Sequence, residues 1–196
     1  MTCENRGYPN IEEAEALLCE GERLNPGAWC NHSRVAGLCA QRIAEAAGMD
    51  GEKARVLGML HDIGRRNGVH GIRHAVDGYN FLMEKGYDQA ARISMTHLFA
   101  IKSLESALGA IDVTEAEKQF MLDYIENCEY DDYDLLMQVC DSIALAEGPA
   151  DMETRMGDVK RRYGWYPQDK WDRHMELGRY FEERTGRKLM DIVKDK

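Results

Sequence analysis

Glu52-Lys53-Ala54-Arg55-Val56-Leu57-Gly58-Met59-Leu60-His61-Asp62-Ile63 is the stretch that decides the fold of this chain. Ala54, Val56, Leu57, Met59, Leu60 and Ile63 leave it little polar face, which predicts a helix over about 52–63 at the centre of the structure. The flanking sequence is helical too. Upstream, helices are expected over about 11–24, broken by Asn25-Pro26-Gly27, and over about 28–47, ended by Gly48. The apolar stripe of the second helix reads Val35, Leu38, Cys39, Ile43 and Ala46. Downstream, a polar loop over 64–71 precedes helices over about 72–85 and 87–98. A looser stretch over 99–113 leads to a helix over 114–128, opened by the capping box Thr114-Glu115-Ala116-Glu117. Another helix is expected over about 133–147, and two or three more over 151–196. The four prolines (Pro9, Pro26, Pro149, Pro167) fall where helices should start or stop, and no run alternates long enough to predict a strand. The expectation is an all-α chain forming one domain over 1–196. Its core spans about 28–147, and a C-terminal helical extension spans about 151–196.

A chain of 196 residues, 44% hydrophobic and 31% charged, can bury a full core without disulfide support. Asp and Glu number 35 against 25 Lys and Arg, a formal charge of −10. That balance argues against nucleic acid as a partner and against docking to an anionic membrane surface. A small phosphorylated molecule stays open, because a local metal cluster can reverse the field inside one pocket. The start of the sequence, Met1-Thr2-Cys3-Glu4-Asn5-Arg6, has no apolar signal core, and no stretch reaches the roughly 18 apolar residues that span a bilayer. Cys3, Cys19, Cys30, Cys39, Cys128 and Cys140 form no Cys-x-x-Cys pair and read as reduced, buried cysteines of a cytoplasmic protein. Tyr163, Trp165, Tyr166, Trp171, Tyr180 and Phe181 are expected to pack onto the core rather than bind a ligand.

Five of the six histidines fall between His32 and His97. His32 precedes Val35 by three residues on the inward stripe of its helix. His61 and Asp62 end the most buried helix, and His74 and His97 lie on the next two. Asp141 stands among Val139, Cys140, Ile143 and Ala144, sharing a face with Met137, Ala144 and Leu145. No Lys or Arg occurs between Tyr133 and Glu147. A carboxylate on an apolar face needs a partner, either a metal ion or a cation from another helix. Each histidine alone has an ordinary structural role as its alternative, and a His-Asp dipeptide alone is weak. Together, imidazoles and carboxylates suit Mn, Fe, Zn, Co or Ni.

His32, then His61-Asp62-Ile63-Gly64, then Asp141 resembles the H…HD…D pattern of the HD-domain metal-dependent phosphohydrolases, over about 28–147. The resemblance implies a helical HD-type bundle in which His32, His61, Asp62 and Asp141 bind a divalent ion. His74 and His97 stand where two-ion members place their further histidines, which implies two divalent ions bridged by Asp62. The chain looks most like the small bacterial branch similar to symmetric diadenosine-tetraphosphate hydrolases. The activity implied is hydrolysis of a phosphoester or phosphoanhydride, in a nucleotide or related small phosphorylated molecule, by metal-activated water.

Asp62 is then expected to orient the nucleophile, Arg65 to clamp phosphate, and His70 to act as general acid or phosphate contact. Arg66, Arg73 and Lys102 are weaker phosphate candidates. Asp77, one turn from His74, is a candidate to fix that imidazole's tautomer, and His174 reads as structural or exposed. Two readings compete: a non-catalytic sensor of a phosphorylated ligand, and a di-iron oxygenase on the same scaffold. The sequence leaves the oligomeric state open.

Overall fold

A computed structural model describes residues 7–195, so the expectations for Cys3 and for the first six residues lie outside the described residues. Ten α-helices and a hairpin of two two-residue strands make up the regular structure, together with two short 3₁₀ turns, among the described residues. The all-α expectation holds.

Helix α1 (Ile11–Leu24) starts where the Asn10 side chain accepts from the Glu13 amide at 2.8 Å. Helices α2 (Ala28–Ala46) and α3 (Gly51–Leu60) form the tightest pair of the bundle. A Cβ on Gly58 would lie 2.7 Å from the Gly37 Cα, so the two backbones touch. Such an approach selects small residues. The buried face of α2 therefore runs through His32, Ser33, Ala36, Gly37, Ala40 and Ala44, with Cys39 and Ile43 beside them. Leu38 and Ala46, expected on the inward stripe, are exposed; hydrophobicity alone misplaced that face by part of a turn.

Helix α3 is buried at seven of its ten positions, including every one from Val56 onward, but ends at Leu60; Ile63–Asn67 continues as a 3₁₀ turn in what reads as loop. Helices α4 (Arg73–Glu84) and α5 (Asp88–Thr96) pack antiparallel behind that turn. Gly64 and Gly78 make the approach possible: a Cβ on Gly64 would fall 2.0 Å from the His74 carbonyl oxygen and 2.5 Å from the Gly78 nitrogen. Helix α6 (Glu115–Asn127) carries the expected Thr114–Glu117 capping box.

Helix α7 (Asp132–Asp141) stops six residues before the expected end at Glu147. Its chain turns instead into a hairpin, β1 (Ala144–Leu145) with β2 (Gly148–Pro149), and the Ala150 amide returns to the Ile143 carbonyl at 2.8 Å. Ala144 and Leu145 therefore share no helix face with Asp141, which is the last residue of the helix. A buried polar network ties α7 to α5. Asp134 accepts from Thr96 Oγ1 at 2.7 Å and from Arg92 Nε at 3.0 Å, and Gln138 Nε2 donates to the Thr96 carbonyl at 3.2 Å. The residue after Thr96 is His97, so this network sets the spacing between His97 and Asp141.

Three C-terminal helices follow: α8 (Met152–Tyr163), α9 (Gln168–Thr185) and α10 (Leu189–Lys194). One hydrophobic cluster joins α1, α2, α3, α7 and these last three helices, through residues such as Leu18, Leu57, Leu60, Val139, Leu177 and Phe181. A second, around Ile72, Phe99, Met121 and Ile125, lies under α4 and α6. Of the C-terminal aromatics, Phe181 is fully buried while Trp165, Tyr163 and Tyr180 are exposed. No helix is long and apolar enough to cross a membrane, among the described residues. Cys19, Cys30, Cys39, Cys128 and Cys140 are free thiols; Cys19 is exposed and Cys128 half-buried rather than buried.

Candidate metal centre

His32 on α2, His61 and Asp62 after α3, His74 on α4, His97 after α5 and Asp141 at the end of α7 all converge, and all but His61 line one cavity. The four imidazoles are oriented in the same way, each by a backbone carbonyl. Nδ1 of His32 lies 3.1 Å from the Ala144 oxygen, that of His61 2.7 Å from Gly58, that of His74 2.5 Å from Gly71, and that of His97 2.9 Å from Ser94. A carbonyl only accepts, so each Nδ1 carries the proton and each Nε2 presents a lone pair.

Those lone pairs face acceptors. His32 Nε2 stands 3.2 Å from His61 Nε2 and 3.0 Å from Asp141 Oδ1. Asp62 Oδ1 stands 3.1 Å from His74 Nε2 and 3.6 Å from His97 Nε2. Asp62 Oδ1 and His97 Nε2 are buried without a hydrogen-bond partner. Apart from the Arg65 guanidinium, no donor hydrogen lies among these acceptors, and such a set suits a bound cation. Protonation is opposed: burial drives the His61 imidazole down to about 4, and burial followed by the Arg65 charge lowers His74. Burial disfavours a charged Asp62, yet the Arg65 guanidinium beside it holds the carboxyl well below its usual range.

The donor atoms form two triads, His32–His61–Asp62 and Asp62–His74–His97, each with its ligand atoms within 4.8 Å of one another. That spacing and the imidazole–carboxylate chemistry fit divalent transition-metal ions. Asp62 belongs to both triads. Asp141 completes the first from the open side, a third of its side chain facing the cavity.

Arg65 reaches the same place. Its Nε donates to Asp62 Oδ2 at 2.6 Å and its Nη2 lies 3.4 Å from His74 Nε2. The other expected contacts are not brought in. His70 turns away from the cavity toward Asp112, with Nδ1 3.7 Å from Oδ2, because Asp112 gathers this loop through the Gly71 and Arg73 amides. Arg73 binds Asp112 and Glu117, and Arg66 lies on the Phe81 ring and pairs with Glu20. Lys102 donates to the Cys128 carbonyl at 2.6 Å. Asp77 is 3.7 Å from Arg73 and does not set the His74 tautomer; the Gly71 carbonyl does.

The cavity measures about 510 Å³, and its far wall comes from α8 and α9. Arg155, Tyr163, Tyr166, Lys170 and His174 line it, so two of the aromatics expected only to pack on the core face the cavity. Their sequence signal was slight. Lys170 is 5% exposed, an unusual burial for an ammonium, but nothing in its neighbours reveals it. His174 is buried rather than exposed, bound through Nδ1 to the Tyr166 hydroxyl at 2.9 Å; burial and then the Lys170 charge push it down to about 3.

Comparison with known proteins bears on this cluster directly. Residues 30–146 match the HD domain, a span that holds all six converging residues and more than half of the chain. Searches of curated proteins and of solved structures returned no match. The chain therefore belongs to the HD-domain family.

Proposed function

We propose that the chain is a divalent-metal-dependent phosphohydrolase cleaving a phosphoester or phosphoanhydride of a nucleotide or a related small phosphorylated molecule. The observation that carries this reading is the common orientation of four imidazoles, every Nε2 turned toward Asp62 or Asp141 by a main-chain carbonyl. Members of the family are usually metal-dependent phosphohydrolases, which agrees with it. His32, His61, Asp62 and Asp141 would hold one divalent ion and Asp62, His74 and His97 a second, with Asp62 common to both. Bound there, such ions supply an activated water and neutralise charge on phosphoryl oxygens.

The chain's own groups do the rest. The backbone carbonyls keep each imidazole in the Nδ1–H tautomer, so no proton competes for Nε2. Arg65 keeps Asp62 ionised and adds positive charge at the cavity base, where a phosphoryl group gathers negative charge as its bond breaks. The buried surroundings of His61, Asp62 and His97 exclude bulk water and strengthen those interactions. A cavity of about 510 Å³ suits a molecule of nucleotide size, and the acidic chain offers no broad basic track for a polymer.

The test is a panel of nucleotides and simple phosphoesters with purified protein loaded with Mn, Fe or Co. Wild type should turn over at least one of them, and His61→Ala and Asp62→Ala should lose metal and turnover together. Full turnover by Asp62→Ala removes the reading.

A further inference from the structure

Arg155 on α8 and Lys170 on α9 lie beyond residues 30–146, on the cavity wall that faces the His/Asp cluster. Arg155 is anchored by one edge only. Its Nε donates to the Ala144 carbonyl at 2.7 Å, the same oxygen that orients His32. Its Nη2 stands 4.0 Å from Asp141 Oδ1 and its Nη1 4.0 Å from Asp158 Oδ2, and Nη1 is buried with no hydrogen-bond partner. The guanidinium thus makes one hydrogen bond to the protein, through Nε, and holds its two Nη groups beside the cluster at 4.0 Å from Asp141 and Asp158, beyond hydrogen-bond reach. The Lys170 ammonium is more than nine-tenths buried. Its Nζ donates to the Leu98 carbonyl at 2.8 Å, one residue past His97, and no carboxylate ion-pairs with it among the described residues. An ammonium has three hydrogens, so two are left without a named acceptor. Burying two cations with unused donors is costly unless an anion arrives to accept from them.

We propose that Arg155 and Lys170 form a phosphate clamp on the cavity wall, gripping the oxygens of the substrate's phosphoryl group from the side opposite His61 and Asp62. The inference rests on the phosphohydrolase reading and adds to it two substrate-holding residues from outside the family-matched segment. A planar fork and a point charge set on either side of a tetrahedral anion are a recurrent phosphate-binding arrangement. Tyr166, whose hydroxyl meets His174, and the apolar Met156 and Val159 share that wall, and its third cation, Arg162, is paired with Asp158 at 3.1 Å.

The experiment measures binding of inorganic phosphate to Mn-loaded full-length protein by titration calorimetry, with metal content determined on the same samples. Arg155→Gln and Lys170→Gln should each keep the wild-type metal content and weaken phosphate at least about tenfold, the scale of one charge-assisted hydrogen bond. Because Arg155 also touches the carbonyl that orients His32, Lys170→Gln is the cleaner arm. A pair that merely balances Asp141 would leave phosphate affinity alone. Phosphate affinity within about twofold of wild type at equal metal content overturns the clamp, as does wild-type protein that binds no phosphate. Turnover of the phosphoester panel is read separately. Turnover with unchanged phosphate binding in the variants sinks the clamp and spares the hydrolase; phosphate binding that depends on both residues, without turnover of any phosphoester, does the reverse.

Discussion

Gly64→Ala adds one methyl group where the structure has no room for it. Gly64 is not in the left-handed region, so the backbone conformation itself tolerates alanine, and any effect is steric. The new Cβ would sit 2.0 Å from the His74 carbonyl oxygen and 2.5 Å from the Gly78 nitrogen, where ordinary contact begins near 3.4 Å. Both obstacles are main chain and cannot swing aside, so the 3₁₀ turn and α4 must part by more than an ångström. Overpacking of this kind costs about 1–3 kcal/mol. For a chain of this length that lowers the melting temperature by about 2–12 °C. The displacement falls on His74, whose Nε2 stands 3.1 Å from Asp62, and leaves His32 and His61 in place. Metal affinity should therefore drop for the Asp62–His74–His97 triad alone, so that elemental analysis after dialysis at limiting metal finds about one ion fewer per chain. Thermal unfolding in chelator isolates the steric cost from the metal effect. A melting temperature within about 1 °C of wild type, with unchanged metal content, would refute the close approach and the placement of His74 built on it.

Asp62→Asn should abolish metal uptake and leave the Arg65 guanidinium without its buried partner. Unfolding by denaturant in chelator should show a loss of about 3 kcal/mol, and no loss would mean that the pair contributes nothing. Chelation of wild type should lower stability by about 2.7 kcal/mol relative to protein held at a hundredfold excess of free ion over its dissociation constant; identical melting curves would show that the folded chain stores no ion. His174 is neutral and buried at about 3, below the ordinary value of about 6.5 for an unfolded histidine. Its contribution to stability is whole above pH 6.5 and is lost as pH falls from there toward 3, at about 1.4 kcal/mol per unit. Between pH 7.5 and 5.5, His174→Gln should lose about 1 kcal/mol less than wild type in guanidinium unfolding; His61 moves both proteins alike, so equal losses would exclude a buried neutral His174.

The periodic parts of this molecule were legible in its sequence, and the parts made by distant contacts were not. Helices α1, α3 and α6 announce themselves through apolar spacing and caps, and the His32…His61-Asp62…Asp141 pattern picks out the residues that meet. The end of α7 was hidden, because strands of two residues have no period and this hairpin is held by the Ala150–Ile143 hydrogen bond. The exposed Leu38 misled for another reason: where two backbones touch at Gly37 and Gly58, small residues make the interface and hydrophobicity ceases to mark it. His70 and Lys102 lie near the site in sequence only. Asp112 and the Cys128 carbonyl, more than twenty residues away from each, claim them instead. Lys170 is the converse, 72 residues from the carbonyl it binds.

The acceptors that aim the four imidazoles are main-chain oxygens of Gly58, Gly71, Ser94 and Ala144. No point substitution can delete a carbonyl, so the aim of each ring survives mutation of every neighbouring side chain that leaves the backbone path intact. Vulnerability shifts to the path itself: a proline or an insertion within a turn of any of these four positions would swing an imidazole as surely as replacing it. Sequence drift around the cluster can therefore be extensive in side chains while remaining strict in length.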